Sequence, residues 1–216
     1  MINPLITCIM LAGKTNIDIV NRCINSFNKQ TYQNKELIII NNSSSQLSNS
    51  NLIINDLDTI VIDTPVQLSA GMARNYGIQA ANGNLIAQFD PEFIWHKNRL
   101  SKQLSAILKT ESHISVLSKV SSYSFANSQI STYTNSKKAI LNTMMFIRPA
   151  VDYPDINKSE ELGILERMTN AGMKIVSIDD ESLACKLYAH DYPRSKVAFS
   201  NPRCKCANLI RDWLKT

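Results

Sequence analysis

Residues 68–104 read LSAGMARNYGIQAANGNLIAQFDPEFIWHKNRLSKQL, one full unit of an alternating α/β chain. Ser69 offers a hydroxyl for a helix N-cap and predicts a helix through Ala80, with Gly83 placed to stop it at C′. Leu85 to Phe89 is a short apolar run that predicts a buried strand ending at Asp90. Leu100, Leu104, Ile107 and Leu108 then repeat at helical spacing. Before this unit, Leu5 to Met10 and Glu36 to Ile40 are dense in apolar and β-branched residues and predict two more strands. Between them, Thr15 and Asp18 stand at capping-box spacing, and Val20, Cys23, Ile24 and Phe27 form a helical stripe. Residues 41–51, NNSSSQLSNSN, read as loop, and Thr59 to Ile62 as a third strand. Strand and helix in alternation imply a mostly parallel sheet covered on both faces. Ligands on such sheets bind beyond the carboxyl ends of the strands. Those ends are Leu11 to Lys14, Asn41 to Ser44, Thr64 to Ser69 and Asp90 to Glu92.

The second half is more mixed. Ile114 to Lys119 and Asn142 to Ile147 read as strands, and Val120 to Lys138 as a hairpin or loop rich in Ser, Thr and Tyr. Ser159 is placed to cap a helix carrying Leu162, Leu165 and Met168 and closed by Gly172. Lys174 to Ile178 and Leu183 to Tyr188 read as late strands. Ala207 to Leu214 reads as a short terminal helix with Leu209, Ile210, Trp213 and Leu214 on one side. The 216 residues suit one domain. At 44% hydrophobic and 19% charged, the chain is an ordinary globular one. No apolar run approaches the roughly 18 residues of a membrane span, and the start lacks the pattern of a signal peptide. A net charge of +5 suits an anionic small ligand. No dense Lys/Arg stripe points to nucleic acid. Five cysteines, with Cys204 and Cys206 lacking a second metal-binding pair, read as reduced thiols in a cytoplasmic protein.

Four blocks carry a resemblance to a known family. PLITCIM, SFNKQTYQNKELIII and NNSS resemble the nucleotide-binding start of family-2 glycosyltransferases, which have the GT-A fold. Residues 68–104 resemble that family's run of A-R-N-x-G-I, an acidic D-x-D-type motif, a tryptophan and R-L. SEELGILERMTNAGMKIVSI is similar to the acidic pair opening the family's catalytic helix, and LYAHDYPRS to the segment ending its catalytic domain. The order and spacing fit from Pro4 to about Ser195. The resemblance implies an α/β GT-A fold, with a Rossmann-like, mostly parallel central sheet and a mixed C-terminal half. Its organisation would be one domain: residues 1–110 for the nucleotide-sugar, 111–195 for acceptor and catalysis, and 196–216 as a tail. The implied reaction is transfer of a sugar from a nucleotide-diphosphate donor to an acceptor hydroxyl, with inversion.

That reaction has three tasks. A strand-end carboxylate holds a divalent ion against the diphosphate. The resemblance gives this task to Glu92 with Asp90, which can act through water or a hydrogen bond, and places His190 near the metal. The hard carboxylate oxygens of Asp90 and Glu92 suit Mn²⁺ or Mg²⁺. A second carboxylate takes the acceptor proton. The resemblance assigns it to Glu161, preceded by Glu160, in a first helical turn where the helix dipole favours the ionised form. The third task is grip on the nucleotide. Asn42 stands where the family's uracil-binding Asp is found. Leu11 and Gly13 lie in a changed first loop with Lys14, Arg74 is placed to fork onto the diphosphate, and Asn75 completes the A-R-N motif. Trp95 is assigned to packing beneath the metal loop or to facing the sugar, and Tyr188 to structure.

The expected partner is a UDP-sugar. The acceptor (glycan, lipid-linked or protein) is unspecified, a homo-oligomer stays open, and so does peripheral docking on a membrane. The departures at Asn41, Asn42 and Pro91 keep a second function open: a GT-A-fold nucleotide-sugar-binding or scaffold protein without turnover. A nucleotidyltransferase is disfavoured, because Ala12-Gly13-Lys14 is too short for a glycine-rich phosphate loop.

Overall fold

The protein is described by a computed structural model over residues 3–13, 15–43, 52–54, 58–124, 129–134 and 139–188. Eleven strands are present among these: β1 (Ile6–Leu11), β2 (Lys35–Asn41), β3 (Thr59–Asp63), β4 (Leu85–Gln88), β5 (Phe93–Trp95), β6 (Ile114–Leu117), β7 (Lys119–Ser124), β8 (Gln129–Thr134), β9 (Ile140–Ile147), β10 (Ile175–Ile178) and β11 (Ala184–Tyr188). The helices are α1 (Ile17–Asn28), α2 (Ala70–Ala80), α3 (Arg99–Thr110) and α4 (Glu160–Asn170). Seven strands form the main sheet in the order β10-β6-β9-β4-β1-β2-β3. All its neighbours pair parallel except at β9, which runs antiparallel to both β4 and β6.

The alternation within each strand decides which layer it feeds. On β1 and β2, Ile6, Cys8, Met10, Leu37 and Ile39 pack with α1 and α3 residues such as Val20, Phe27, Leu100 and Leu104. Their neighbours Ile9, Ile38 and Ile40 face the other way, onto Ala73, Ile78, Ile164 and Met168 of α2 and α4. A strand buried on both faces has to be apolar at consecutive positions, which is why the ELIII run is continuous.

A second, four-stranded sheet in the order β5-β11-β7-β8 stands against the carboxyl end of the first. The sequence reading leaves β5 unassigned, because three residues are too few for a period. The stretch from Val120 does form a hairpin, with β7 and β8 antiparallel. Two expected caps are different. Asn16, in place of Thr15, caps α1 by accepting from the Asp18 N–H. Ser159 has a left-handed φ of 63° and makes no side-chain cap bond. The buried face of α4 is Glu160, Ile164 and Met168; Leu162 and Leu165 are only partly covered. Ser69 caps α2 as expected, accepting from Met72 N–H. Gly83 is not that helix's C′ residue; α2 ends at Ala81 in extended backbone. Glycine is needed at 83 for space, since a Cβ there would lie 2.6 Å from the Leu5 carbonyl oxygen and 2.7 Å from Thr7 Oγ1. The expected terminal helix and Cys204, Cys206, Trp213 and His190 lie outside the described residues.

The amino ends of the strands are held by one carboxylate. Glu36 is 8% exposed. Its Oε1 accepts from Thr7 Oγ1, Asn82 N–H (2.8 Å) and Gly83 N–H (3.2 Å), and its Oε2 from Asn82 Nδ2 (2.8 Å). Burial alone would raise this carboxyl's pKa, but the hydrogen bonds outweigh it and hold the group below its ordinary value. The stabilisation is therefore fully present above the unfolded-state value and is lost as pH falls through the folded one. Glu36→Gln turns an amide toward N–H donors and should cost about 1–3 kcal/mol of stability at neutral pH. The wild-type/variant difference in chemical denaturation should shrink toward acid pH, and a pH-independent difference would contradict this role.

Candidate active site

The site lies beyond the carboxyl ends of β1, β2 and β4, facing the second sheet. Its centre is Arg74, on the inner face of α2 and only 4% exposed. Both of its terminal nitrogens meet Asp90, at the end of β4: Nη1–Oδ1 is 3.2 Å and Nη2–Oδ2 is 2.7 Å. Nη2 also lies 3.5 Å from Glu161 Oε1, and Nε 3.6 Å from Glu160 Oε1. The guanidinium stands 5.9 Å from the Tyr153 ring centroid. Burial works against its charge, but Asp90 and the neighbouring acids overcome this and hold it protonated. The fork expected to face a diphosphate thus faces Asp90.

What brings α4 to Arg74 is the segment before it. Asn75 holds the backbone of Tyr153, donating to the carbonyl (3.0 Å) and accepting from the N–H (2.8 Å). The Tyr153 hydroxyl accepts from Gln88 Nε2 at 2.9 Å. Ser69 donates to Asp155 at 2.6 Å, and Asn157 accepts from Ala70 N–H at 3.1 Å. Gly71 leaves room for the chain to cross, because a Cβ there would collide with the Pro154 carbonyl. Asn75 is therefore seated in the chain crossing, on α2's inner side.

Glu92 and Glu161 are joined by a residue the sequence reading passes over. Asn142 on β9 donates through Nδ2 to Glu161 Oε1 at 2.9 Å and stands 3.5 Å from Glu92 Oε1. Lys186 on β11 places Nζ 3.9 Å from Glu92 Oε1. Burial raises the Glu92 pKa above the ordinary carboxylate value; Lys186 opposes this and Asp90 adds to it. Burial likewise raises that of Glu161, with Arg74 opposing and Glu160 adding. The helix-terminus field was expected to favour ionised Glu161; burial among other acids outweighs it. The signal for Asn142 and Lys186 was a polar residue inside the apolar runs ILNTMMFI and ACKLY. Tyr153 left no such signal.

The nucleotide-side residues are at the strand ends but differently engaged. Asn42 Oδ1 accepts from Leu68 N–H (2.7 Å) and Thr64 Oγ1 (3.2 Å), while its Nδ2 donates to the Leu68 carbonyl (2.7 Å). It ties down the 64–68 turn. Asn41 donates to Asp63 Oδ1 across the β2–β3 pair at 2.7 Å. Leu11 is partly buried at the end of β1, and Gly13 follows at a φ of 44° with open space around its α-carbon. Trp95 is 2% exposed, stacked on Phe93 at 4.8 Å between centroids and covered by the Arg99 guanidinium at 3.7 Å. It packs beneath the acidic loop and cannot face a sugar. Arg99 is itself buried, bound to Gln103 Oε1 (2.8 Å) and the Thr143 carbonyl (3.2 Å).

Among the described residues, Asp90, Glu92, Glu160 and Glu161 face two cations, Arg74 and Lys186. This surplus of hard, negative oxygen fits a divalent ion of the Mg²⁺ or Mn²⁺ type, which is commonly held by one or two carboxylates plus substrate phosphates. Glu92 is the more available ligand, since Asp90 gives both oxygens to Arg74. Among the described residues no three His, Cys, Asp or Glu side chains form a ready-made cage.

Comparisons with known proteins identify the family. The sequence model of glycosyl transferase family 2 matches residues 10–157. An uncharacterized glycosyltransferase of Haemophilus influenzae is 31% identical over 148 residues, 66% of this chain and 57% of that protein. The UDP-Glc:alpha-D-GlcNAc-diphosphoundecaprenol beta-1,3-glucosyltransferase WfgD of Escherichia coli is 32% identical over 91 residues, 42% of this chain and 36% of that protein. The chain thus spans between about a third and three-fifths of these relatives' lengths. The structure of S. aureus TarS 1-349, also solved in complex with UDP, superposes with a TM-score of 0.65 at 14% identity, covering 84% of this chain and 60% of that one. At that identity the likeness is one of fold, and it matches the mostly parallel sheet seen here. With the family match covering more than half its length, the chain belongs to glycosyl transferase family 2.

Proposed function

We propose that the protein transfers a sugar from a UDP-sugar to an acceptor hydroxyl with inversion, using Glu161 as the general base. The observation that carries this reading is the pairing of Glu161 with Glu92 through Asn142 at the carboxyl edge of the sheet. Residues 1–110 supply the donor half and residues 111–195 the acceptor half. Asn142 and Arg74 both address Oε1 of Glu161, so Oε2 is the oxygen available to an incoming hydroxyl. A pKa raised by burial makes Glu161 a stronger base than an ordinary carboxylate. Glu92, with Asp90 behind it, would hold the divalent ion, which when bound neutralises the leaving diphosphate. Arg74 keeps Asp90 and Glu161 in register. UDP is favoured over other nucleotides by the WfgD donor and by the TarS–UDP complex.

Asn42, already spent on the 64–68 turn, favours a second reading in which the fold binds nucleotide-sugar without turnover. Thermal unfolding decides the donor site. UDP with Mn²⁺ should raise the melting temperature more than UDP alone, and Glu92→Gln should lose most of the metal-dependent part. A ligand that binds only the folded state at a hundredfold its Kd adds about 2.7 kcal/mol, readily detected. No shift with any nucleoside diphosphate would remove the donor site.

Turnover separates the two readings. Glu161→Gln should lower kcat by about 10²–10⁴-fold with UDP binding unchanged; full activity would take Glu161 out of the mechanism. The acid limb of kcat/KM should lie above the ordinary carboxylate range of about 4.3, because only ionised Glu161 can accept the proton. Glu160→Gln removes a charge that raises the Glu161 pKa and should move that limb to lower pH. An unmoved limb would show that another group titrates there.

A further inference from the structure

The second sheet presents to the carboxylate cluster a row that the donor chemistry leaves unused. Strand register places Phe93, Lys186, Ser122 and Ser131 side by side across β5, β11, β7 and β8. Phe93 is buried, and the Ser122 and Ser131 hydroxyls are hydrogen-bonded to each other at 2.7 Å. Lys186 remains. Its ammonium stands near two aromatic rings, with Nζ 5.7 Å from the Phe93 centroid and 5.9 Å from that of Tyr133 on β8. Among the described residues its carboxylate contact is Glu92, at 3.9 Å, which is long for an ion pair, and a pair of that kind contributes little. Tyr133 is 38% exposed, a large ring at the rim of the cleft.

A cation beside an exposed aromatic face is a two-part recognition surface. The ring offers an apolar plane to the C–H face of a pyranose. The ammonium is a mobile point charge suited to a phosphate. Both parts stand on the wall that reaches Glu161 through Glu92 and Asn142. That wall belongs to β8 and β11, away from the ends of β1 and β2 where the donor is placed. A divalent ion held by Glu92 would draw that carboxylate away from Lys186 and leave the ammonium to a second anion.

Resting on the assignment of Glu161 as base, we propose that Tyr133 and Lys186 form an acceptor subsite for a phosphorylated sugar. The pyranose lies on Tyr133 and its phosphate on Lys186. The neighbouring hydroxyl is thereby delivered toward Glu161.

Isothermal titration and saturation-transfer NMR on the full chain, saturated with UDP and Mn²⁺, test this. The probes are glucose 1-phosphate, N-acetylglucosamine 1-phosphate and the uncharged methyl glycosides of the same sugars. A sugar 1-phosphate should bind the wild type, and Tyr133→Ala and Lys186→Met should each weaken it about tenfold with UDP affinity unchanged. The methyl glycoside should bind more weakly, and only Tyr133→Ala should affect it. Wild type that binds neither sugar phosphate, or variants that bind it equally well, would overturn the subsite. So would a Lys186→Met protein whose loss falls on UDP, since Lys186 would then serve the donor. Failure of UDP itself to bind would count against the donor reading; sugar phosphate titrated without UDP would then still decide the subsite.

Discussion

A single buried guanidinium organises the functional end of this molecule. Arg74 is surrounded by Asp90, Glu160 and Glu161, contributed by β4 and α4, and by the Tyr153 ring. Three carboxylates at that spacing would repel one another strongly in a partly dry cleft; one permanently charged fork lets them converge. Truncating one partner of such a buried pair generally costs about 3–5 kcal/mol, because the other charge is left stranded. Arg74 therefore couples stability to site geometry. The guanidinium lets the carboxylates be held close together, and it limits the rise in the Glu161 pKa that burial and Glu160 produce.

The rest of the fold reads as support for that convergence. Asn75 clamps the Tyr153 backbone to α2, and Gly71 leaves space for the chain to pass. At the opposite end of the strands, Glu36 satisfies the turn between α2 and β4, so that β4 enters the sheet in register and Asp90 emerges beside Arg74. Beneath the acidic loop, Trp95 is sandwiched between Phe93 and the Arg99 guanidinium. Arg99 is unusual: its charge is opposed by complete burial, which lowers its pKa to about 10, and aromatic faces and a carbonyl carry much of its compensation. The antiparallel β9, inserted between β4 and β6, delivers Asn142 to the gap between Glu92 and Glu161. A strand running the other way at that position would present a different part of its length to the site.

Much of this was legible in the chain. Continuous β-branched runs marked the strands buried on both faces, the Ser69 hydroxyl marked the start of α2, and the strand ends located Asp90, Glu92 and Asn42 before any contact was known. These are local signals: helix periodicity, caps and strand runs depend on residues within one or two turns of each other. The second sheet was only partly legible. A three-residue β5 has no measurable period, and β7 with β8 is rich in Ser and Thr, whose hydroxyls suit loops and edge strands alike. Ser159 matched a cap by type, yet its left-handed backbone prevents it from acting as one.

From sequence alone, the α/β alternation, the acidic strand end and the acidic helix start were determined, because each is written in neighbouring residues. Tertiary structure alone decided who faces whom: that Arg74 spends its fork on Asp90, that Asn42 and Asn75 hold backbone, and that Asn142 links Glu92 to Glu161. It also decided the direction of the Glu161 pKa, where burial and Glu160 outweigh Arg74 and the helix terminus. Charge, burial and hydrogen bonding are sums over groups brought together from β4, β9, α2 and α4, and residues 74, 90, 142 and 161 become neighbours only when the sheet closes around them.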